Sequence, residues 1–296
     1  MARLLPRGQR MRRRLHSDWI AMTENATVNI IVMTHKAYRM PDDAMYIPMQ
    51  VGAALSVQPD GTPLDLGYLR DDEGENISEK NPLYCELTGL YWAWKHLDAQ
   101  YVGLVHYRRY FGSLNAPKTE DVFEQILRSE ELEPMLRRYR VFVPVKRRYY
   151  IETLYSHYEH THYVRHLDVT RQILEERCPE YLGCFDRVMK QTSGYMFNMM
   201  IMERALLDRY CEWLFDILGE LEKRVDAASL SYYQGRYCGR VGELILNVWL
   251  ERAVETGELR QSDIRELPFL YTEPVNWRRK VICFLKAKFL HERYEF

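Results

Sequence analysis

Two adjacent arginines give the chain its sharpest chemical feature. Arg108 and Arg109 follow the apolar segment 101–106, and a tyrosine stands on each side of the pair. Two neighbouring guanidinium groups cannot both point into an apolar core, because burial of an unpaired cation is very costly. At least one of them must face solvent or an anion. Since a guanidinium suits phosphate oxygens, the segment predicts anion binding, with a structural ion pair to a core carboxylate as the alternative.

Five acidic residues could supply a general base. Asp71, Asp72 and Glu73 lie in a loop, Glu86 lies in a strongly apolar helical pattern, and Glu243 lies near the start of a predicted helix. A carboxylate such as Glu86 needs an arginine or a ligand hydroxyl as its partner. The helix dipole would keep Glu243 ionised, as deprotonation of a sugar hydroxyl requires. The alternative for Glu243 is a favourable first-turn residue without a catalytic role.

Several common chemical motifs are missing. The chain has no Walker A loop, no G-x-G-x-x-G after its first predicted strand and no G-x-S-x-G elbow. His157, His160, His162 and His166 lie close together, but their spacing is not that of a known zinc motif. Contact with a polar sugar, or exposure to solvent, suits these histidines better than a metal site.

The elements that must position these groups alternate between strands and helices. Residues 28–34 form a β-branched apolar run that ends at Thr34, His35 and Lys36, which is typical of a buried parallel strand. Further strands are predicted at 101–106, 141–145 and 194–202, with extended chain at 267–275. Helices are predicted at about 78–97, 119–138, 151–176, 203–225 and 240–250. This order indicates an α/β fold, in which ligands bind at the carboxyl ends of the strands.

The overall composition excludes several protein classes. The 296 residues include 41 Lys and Arg against 42 Asp and Glu, which gives a formal net charge of −1. A dedicated nucleic-acid-binding domain usually carries a strong basic excess, so no nucleic-acid partner is expected. No apolar run approaches the roughly 20 residues that cross a membrane. The six cysteines form no C-x-x-C pair, which favours a reducing cytoplasm.

Both ends of the chain are basic. Residues 1–27 contain six arginines before His16 and predict a disordered tail. Residues 277–296 mix lysine and arginine with large apolar residues at helical spacing and predict a basic amphipathic helix. Such a helix can lie on an anionic membrane surface, and packing on the domain with its cations in water is the alternative. Residues 28–276 are predicted to form one domain.

Two segments together resemble a known family. Residues 81–95 read Asn-Pro-Leu-Tyr-Cys-Glu-Leu-Thr-Gly-Leu-Tyr-Trp-Ala-Trp-Lys, and residues 101–111 end in the motif His-Tyr-Arg-Arg-Tyr-Phe. The chain is similar here to bacterial capsular and exopolysaccharide glycosyltransferases, long classed as a domain of unknown function. Some members of that family are described as galactofuranosyltransferases. The resemblance extends from 28 to about 276 and includes three further segments, 196–202, 210–218 and 240–243.

The resemblance implies a GT-A-like fold, with a Rossmann-like nucleotide-sugar half followed by an acceptor half, and no cofactor. Most such enzymes carry an Asp-x-Asp that holds a divalent metal on the donor diphosphate, and His106, Tyr107 and the two arginines take that place here. The arginines would stabilise the leaving diphosphate directly, so catalysis without an obligatory metal is expected. The implied reaction is inverting transfer from a UDP-sugar, such as UDP-galactofuranose, to a lipid-linked surface polysaccharide.

The resemblance also implies roles for individual residues. Glu243 is expected to be the base, with Asp72 as the substitute, and Arg108 and Arg109 are expected to act on the diphosphate. Asn198 is expected to face the acceptor. Eight side chains are expected to bind the donor: Thr34, His35, Lys36, Asp72, Asn81, Glu86, His106 and Tyr107.

The sequence also bears on the cellular location of the protein and leaves two alternative functions open. A lipid-linked acceptor and the basic chain ends suit a cytoplasmic protein held peripherally at the inner face of the plasma membrane. One alternative is a fold without catalysis that serves as a carbohydrate- or nucleotide-binding subunit of a polysaccharide biosynthesis complex. Another is transfer of a pyranosyl sugar from a different nucleotide donor, because sugar specificity depends on hydroxyl contacts that one sequence does not display.

Overall fold

The computed structural model describes residues 26–227, 230–274 and 288. The predicted disordered tail at 1–27 and the predicted amphipathic helix at 277–296 lie almost entirely outside these residues. Within the described ranges, no helix combines the length and apolar character that crossing a membrane requires.

The centre of the molecule is a mixed sheet. Seven of its strands lie side by side in the order β10-β6-β9-β4-β1-β2-β3, and β5 pairs with both β4 and β11. A short separate ribbon joins β7 to β8. The strands of the described part are β1 (Ala26–Thr34), β2 (Tyr46–Gln50), β3 (Leu69–Arg70), β4 (Ala99–His106), β5 (Arg109–Phe111), β6 (Val141–Pro144), β7 (Arg147–Arg148), β8 (Ser193–Gly194), β9 (Met200–Glu203), β10 (Ile264–Leu267) and β11 (Phe269–Tyr271).

Apolar side chains alternate between the two faces of β1, as the pleat of a strand requires. Ile31 and Met33 join a large core that includes most of the helices, whereas Ile30 and Val32 join a smaller core on the opposite face. The helices of the described part are α1 (Asn81–Tyr84), α2 (Leu87–His96), α3 (Ser129–Leu136), α4 (Leu154–Thr161), α5 (Arg165–Arg177), α6 (Leu182–Met189), α7 (Arg204–Arg224), α8 (Tyr232–Gly235) and α9 (Tyr237–Glu255).

Two predicted elements are interrupted in the structure. The helix predicted at 78–97 is broken at Cys85, whose φ of 53° is left-handed, so that α1 and α2 are separate. The strand predicted at 194–202 is broken between β8 and β9, where Phe197 and Asn198 have φ values of 76° and 52°. Such conformations are uncommon for residues other than glycine, and tertiary contacts must stabilise them.

The other differences concern shorter elements. The helix predicted at 151–176 forms two helices, and the stretch 119–138 contains only a 3₁₀ turn and α3. Strand β2 and helix α6 were not predicted. Strand β1, strand β4 and helix α7 match their predictions within a few residues.

Candidate active site

The candidate site forms where β1 and β4 end. These strands are parallel neighbours, with Met33 opposite His106, and the backbone N–H of Tyr107 donates to the Met33 carbonyl at 3.1 Å. From β1 the chain continues to β2 on one side of the sheet, while β4 lies on the other side. Such a reversal of strand order opens a crevice at the carboxyl ends of the strands, which is where α/β sheets bind ligands.

A cleft of about 610 Å³ occupies this position. It brings together the ends of β1 and β4, the break at Cys85, the start of α9 and the segment after β11. The lining residues are His35, Cys85, Glu86, His106, Tyr107, Arg108, Arg109, Phe197, Tyr233, Arg236, Gly239, Arg240, Glu243, Tyr271, Glu273 and Pro274. Four of these side chains are arginines and three are carboxylates, so the cleft combines anion-binding groups with possible bases.

Arg108 forms an ion pair with a carboxylate that lies far from it along the sequence. Its Nε lies 2.8 Å from Glu273 Oε2, and Lys36 Nζ lies 3.4 Å from Oε1 of the same residue. Both cations also lie about 5 Å from the centre of the buried Tyr107 ring. Glu273 thus bridges the segment after β1 to the turn between β4 and β5.

Arg109 has a different environment. Its guanidinium carbon lies 4.4 Å from the centre of the Phe197 ring and 5.5 Å from that of Tyr271. Its Nε is buried and has no hydrogen-bond partner among the residues that the structure describes. A buried guanidinium N–H without an acceptor is unfavourable, so this group is suited to binding an anionic ligand.

Helix α9 contributes a line of charged side chains. Arg236 immediately precedes the helix, and Arg240 and Glu243 follow at spacings of four and three residues, which places all three on one helical face. Gly239 lies on the same face, where a Cβ atom would come within 3.0 Å of Cys85 Sγ. This glycine therefore lets the start of α9 approach the break between α1 and α2.

The Glu243 carboxylate is the group best suited to accept a proton. Burial is the main cause that raises its pKa to about 7, and the negative charge of Glu86 raises it further. The backbone N–H of Phe197 and the positive charge of Arg109 act in the opposite direction. A carboxylate with a pKa near the working pH is well matched to general-base catalysis.

Glu86 is held by Asn198. The Asn198 amide donates to Glu86 Oε1 at 2.8 Å and to the Gly239 carbonyl at 2.9 Å. Asn198 itself is fully buried and does not line the cleft. Asn198 thus joins α9 to the start of α2, and its expected role at the acceptor stays a prediction.

A comparison with protein families identifies the family of this chain. The family model described as "Domain of unknown function (DUF4422)" matches residues 29–254. The chain belongs to the DUF4422 family. No curated protein gives a significant match.

One solved structure resembles this DUF4422 chain strongly. It is the apo structure of WbbM, described as a bifunctional glycosyltransferase, with a TM-score of 0.75 and 29% sequence identity. The match covers 84% of this chain and 46% of WbbM, so the chain spans about half the length of the structure that it matches. The expected GT-A-like α/β fold is confirmed by this match and by the mixed sheet.

The surroundings of the two cleft histidines in this DUF4422 chain lower their pKa values. Burial lowers the pKa of His106 to about 3, with the charges of Arg109 and Arg108 adding to the effect. Burial, followed by the charge of Arg108, also lowers the pKa of His35. His106 Nδ1 accepts the backbone N–H of Arg108 at 3.3 Å, which helps to shape the turn after β4.

Four of the residues predicted to bind the donor lie outside the cleft lining: Thr34, Lys36, Asp72 and Asn81. Thr34 is buried, and its Oγ1 donates to the Lys36 carbonyl at 2.6 Å, which shapes the turn after β1. Asn81 Nδ2 donates to the Cys85 carbonyl at 2.8 Å. Asp72 accepts from both Nε and Nη2 of Arg70, at 2.9 and 2.6 Å, which favours a structural role. These contacts satisfy the polar atoms locally without a ligand.

The histidine cluster lies mainly on α4 and at the start of α5. Burial lowers the pKa values of His157, His162 and His166 to about 3, 2 and 4. His160 Nδ1 lies 3.3 Å from Glu152, a carboxylate that also contacts Lys288. No group of three or more metal-binding side chains is found in the part of the chain that the structure describes.

Arg236 and Arg240 are site residues that the sequence analysis did not identify. Arg236 immediately precedes α9 and belongs to no motif, whereas Arg240 lies in the first turn of α9 and in the segment 240–243 of the family resemblance, which assigned it no role. Their spacing of seven and three residues from Glu243 was the available signal, because it places both cations on the face of the proposed base.

Proposed function

We propose that this protein is an inverting, metal-independent glycosyltransferase that uses a UDP-sugar, such as UDP-galactofuranose, to extend a surface polysaccharide. The observation that carries the proposal is the presence of Glu243, with a pKa near 7, in the same cleft as four arginines. A binding module would need the cations but would have no need of a base. The resemblance to a structure described as a bifunctional glycosyltransferase supports the same reaction class.

In the proposed reaction, an acceptor hydroxyl oxygen attacks the anomeric carbon of the donor sugar while Glu243 takes the hydroxyl proton. The bond from the anomeric carbon to the phosphate oxygen breaks, and UDP departs with the bonding electrons. A single displacement of this kind inverts the anomeric configuration. Negative charge develops on the departing diphosphate, and positioned arginines would stabilise it most in the transition state.

The chemistry of the same side chains supports the proposed metal independence. Guanidinium groups supply the positive charge that a divalent ion supplies in Asp-x-Asp enzymes, and their N–H groups match phosphate oxygens in geometry. His106 to Arg109 stand where the resemblance places that acidic motif. We therefore expect transfer to continue after treatment with EDTA.

The first experiment is a thermal-shift measurement against nucleotides and nucleotide-sugars, with and without EDTA. Stabilisation by UDP compounds that survives chelation would support the proposal, because a ligand that binds only the folded state raises its melting temperature. No shift with UDP compounds would contradict the donor assignment, and a shift only with added manganese would contradict metal independence. Donor hydrolysis or transfer, lost in Glu243→Gln, would then distinguish an enzyme from a binding subunit.

We further propose that the acceptor is a lipid-linked glycan at the inner face of the plasma membrane. The support is the basic composition of residues 1–27 and 277–296, which would favour an anionic surface. Flotation with vesicles that contain about one third anionic lipid tests this assignment. Binding in low salt that is lost in high salt is expected, and failure to float in low salt would contradict it.

A further inference from the structure

The cations of the cleft differ in how far they are already neutralised. Arg108 and Lys36 share the carboxylate of Glu273. Arg109, Arg236 and Arg240 line the same cleft, and none of them has a carboxylate within salt-bridge distance among the described residues. Among the described residues, the cations of the cleft without a paired carboxylate thus come from β5, which contributes Arg109, and from the start of α9, which contributes Arg236 and Arg240.

Arg236 and Arg240 lack strong acceptors. The only hydrogen bond of Arg236 among the described residues runs from its Nε to Cys85 Sγ, at 3.0 Å, and a thiol sulfur is a weak acceptor. Arg240 Nη1 is buried without a hydrogen-bond partner in the described part of the chain, and its guanidinium carbon lies 4.0 Å from the centre of the Tyr233 ring. Buried guanidinium N–H groups normally find acceptors, so an anion that fills the cleft would stabilise both side chains.

The start of α9 strengthens the positive potential at this point. Arg236 precedes the first residue of the 19-residue helix, and Gly239 and Arg240 in its first turn line the cleft. The amino end of a helix carries about half a positive charge, which favours anions. Burial is the main cause that lowers the pKa of His35 and of His106, and the charge of Arg236 adds a smaller effect in the same direction.

We propose that Arg236 and Arg240, together with Arg109, hold the diphosphate group of the donor. The proposal rests on the proposed function and adds two residues to its binding machinery. Seven residues of helix separate Arg236 from Glu243, which corresponds to about 10 Å along the axis. That separation leaves room for a sugar ring between the leaving diphosphate and the base, as an inverting displacement requires.

The test measures binding of three probes by calorimetry: inorganic pyrophosphate, UDP and uridine. Arg236→Gln and Arg240→Gln are compared with the wild-type protein and with Arg252→Gln. Arg252 lies on the same helix and pairs with Glu255 at 2.9 Å, outside the cleft, which makes it a matched control. Each cleft variant is expected to raise the Kd of pyrophosphate and of UDP at least tenfold, about 1.4 kcal/mol, and to leave uridine binding unchanged.

Folding of the variants is checked by circular dichroism and by the melting temperature. Arg236→Lys and Arg240→Lys retain the positive charge, so they are expected to recover part of the pyrophosphate affinity even if the glutamine variants are unstable. Loss of uridine binding together with pyrophosphate binding would indicate a structural role and would overturn the proposal.

The remaining outcomes separate this proposal from the proposed function. Wild-type affinity for pyrophosphate that is unchanged in both glutamine variants would overturn the assignment of the arginines. Absence of pyrophosphate binding to the wild-type protein would overturn it as well. Pyrophosphate binding that depends on the arginines, with no gain in affinity for UDP over pyrophosphate, would support the anion site and contradict the choice of UDP as the nucleotide.

Discussion

The surroundings of Glu243 shift its pKa in opposite directions. Burial and the neighbouring Glu86 favour its neutral form, whereas the Phe197 N–H, Arg109 and Arg147 favour its carboxylate. The resulting pKa of about 7 makes both forms common near neutral pH. As the proposed base, a carboxylate in this condition would accept a proton readily and release it again after each turnover.

The pH dependence of transfer follows from this pKa. Protonation removes the base, so kcat/KM is expected to fall as pH decreases through about 7 and to level off above about 8. Glu243→Gln is expected to lower kcat by about 10²–10⁴-fold and to abolish this inflection. Initial rates between pH 5.5 and 9 measure both effects. A variant that keeps both its rate and its inflection would exclude Glu243 as the base.

Arg108 is expected to matter more for turnover than for folding. Its side chain is 46% exposed and its ion pair with Glu273 is accessible to solvent, so the pair contributes little to stability. Arg108→Ala is expected to lower kcat/KM by about 10–100-fold, since in the proposed reaction it removes a cation that would stabilise the leaving group. The control is Arg39→Ala, because Arg39 forms a similarly exposed pair with Asp121 outside the cleft.

A structural role of Arg108 would give a different result. A large decrease in melting temperature, with normal activity in the folded fraction, would make the arginine structural. Thermal unfolding and initial rates on the same preparations distinguish these two outcomes.

The turn that begins at Gly52 is fixed by one buried carboxylate. Asp71 is fully buried and accepts from the backbone N–H groups of Gly52 and Ala53, at 2.9 and 3.0 Å. The hydroxyl groups of Ser78 and Thr88 donate to the same carboxylate at 2.5 and 2.6 Å. Asp71 thus connects the turn after β2 to α2, the helix that follows Glu86.

Four groups donate hydrogen bonds to the Asp71 carboxylate. Asp71→Asn replaces one of its two oxygen acceptors with an NH₂ donor. Asp71→Asn is expected to destabilise the fold by about 2–4 kcal/mol, because it leaves buried donors unsatisfied. Urea unfolding followed by circular dichroism measures the change. Asp60→Asn, in the exposed part of the same loop, should have little effect. Equal stability of the Asp71 variant and the wild-type protein would contradict the structural role of this carboxylate.

The segment after β11 places a carboxylate where a phosphate would be attracted. Glu273 follows β11, and its carboxylate forms ion pairs with Lys36 and Arg108. Glu273→Gln is expected to tighten UDP binding by about 3–10-fold, since it removes a competing negative charge from the cleft. Calorimetry measures the change, with Glu258→Gln as a control at an ion pair outside the cleft. Weaker UDP binding would instead show that Glu273 positions the two cations.

The predictability of an element depended on whether local sequence or distant contacts determine it. β1 and β4 are continuous apolar runs whose polar ends mark the cleft, so both could be located from the sequence. The breaks at Cys85 and at 195–199 could not, because non-glycine residues adopt left-handed conformations there only in the folded environment. Glu243 could be proposed as a base from its place near the start of a predicted helix, whereas its nearness to Glu86, which Asn198 contacts, could not be predicted.

Across the whole molecule, the mixed sheet separates two apolar cores and unites distant parts of the chain. Gly103 lies at its centre, between β1 and β9. A Cβ atom at Gly103 would come within 2.9 Å of Ile30 Cγ1 and 3.0 Å of Ile201 Cγ1. Side chains on both neighbouring strands therefore require a glycine at this position.

Gly103→Val is expected to destabilise the entire domain by about 1–3 kcal/mol, because overpacking displaces strands that hold both cores. Chemical denaturation monitored by fluorescence and by circular dichroism should show one shifted transition. Gly219→Ala, on α7, is the control, since a Cβ there meets no atom within 4 Å and alanine favours a helix. A loss of stability in the Gly219 variant but not in the Gly103 variant would refute this account of the packing.

The position of β9 in the sheet has a consequence for synthesis of the protein. β9 pairs antiparallel with β4 and β6, yet it begins about 90 residues after β4 ends. At about 5–20 residues per second, a ribosome needs roughly 5–20 s to cover that distance. During this interval the nascent chain has an apolar strand edge at β4 with no partner, and such edges invite aggregation. The sheet can therefore be completed only late in translation, because β4 cannot pair with β9 until β9 has been synthesised.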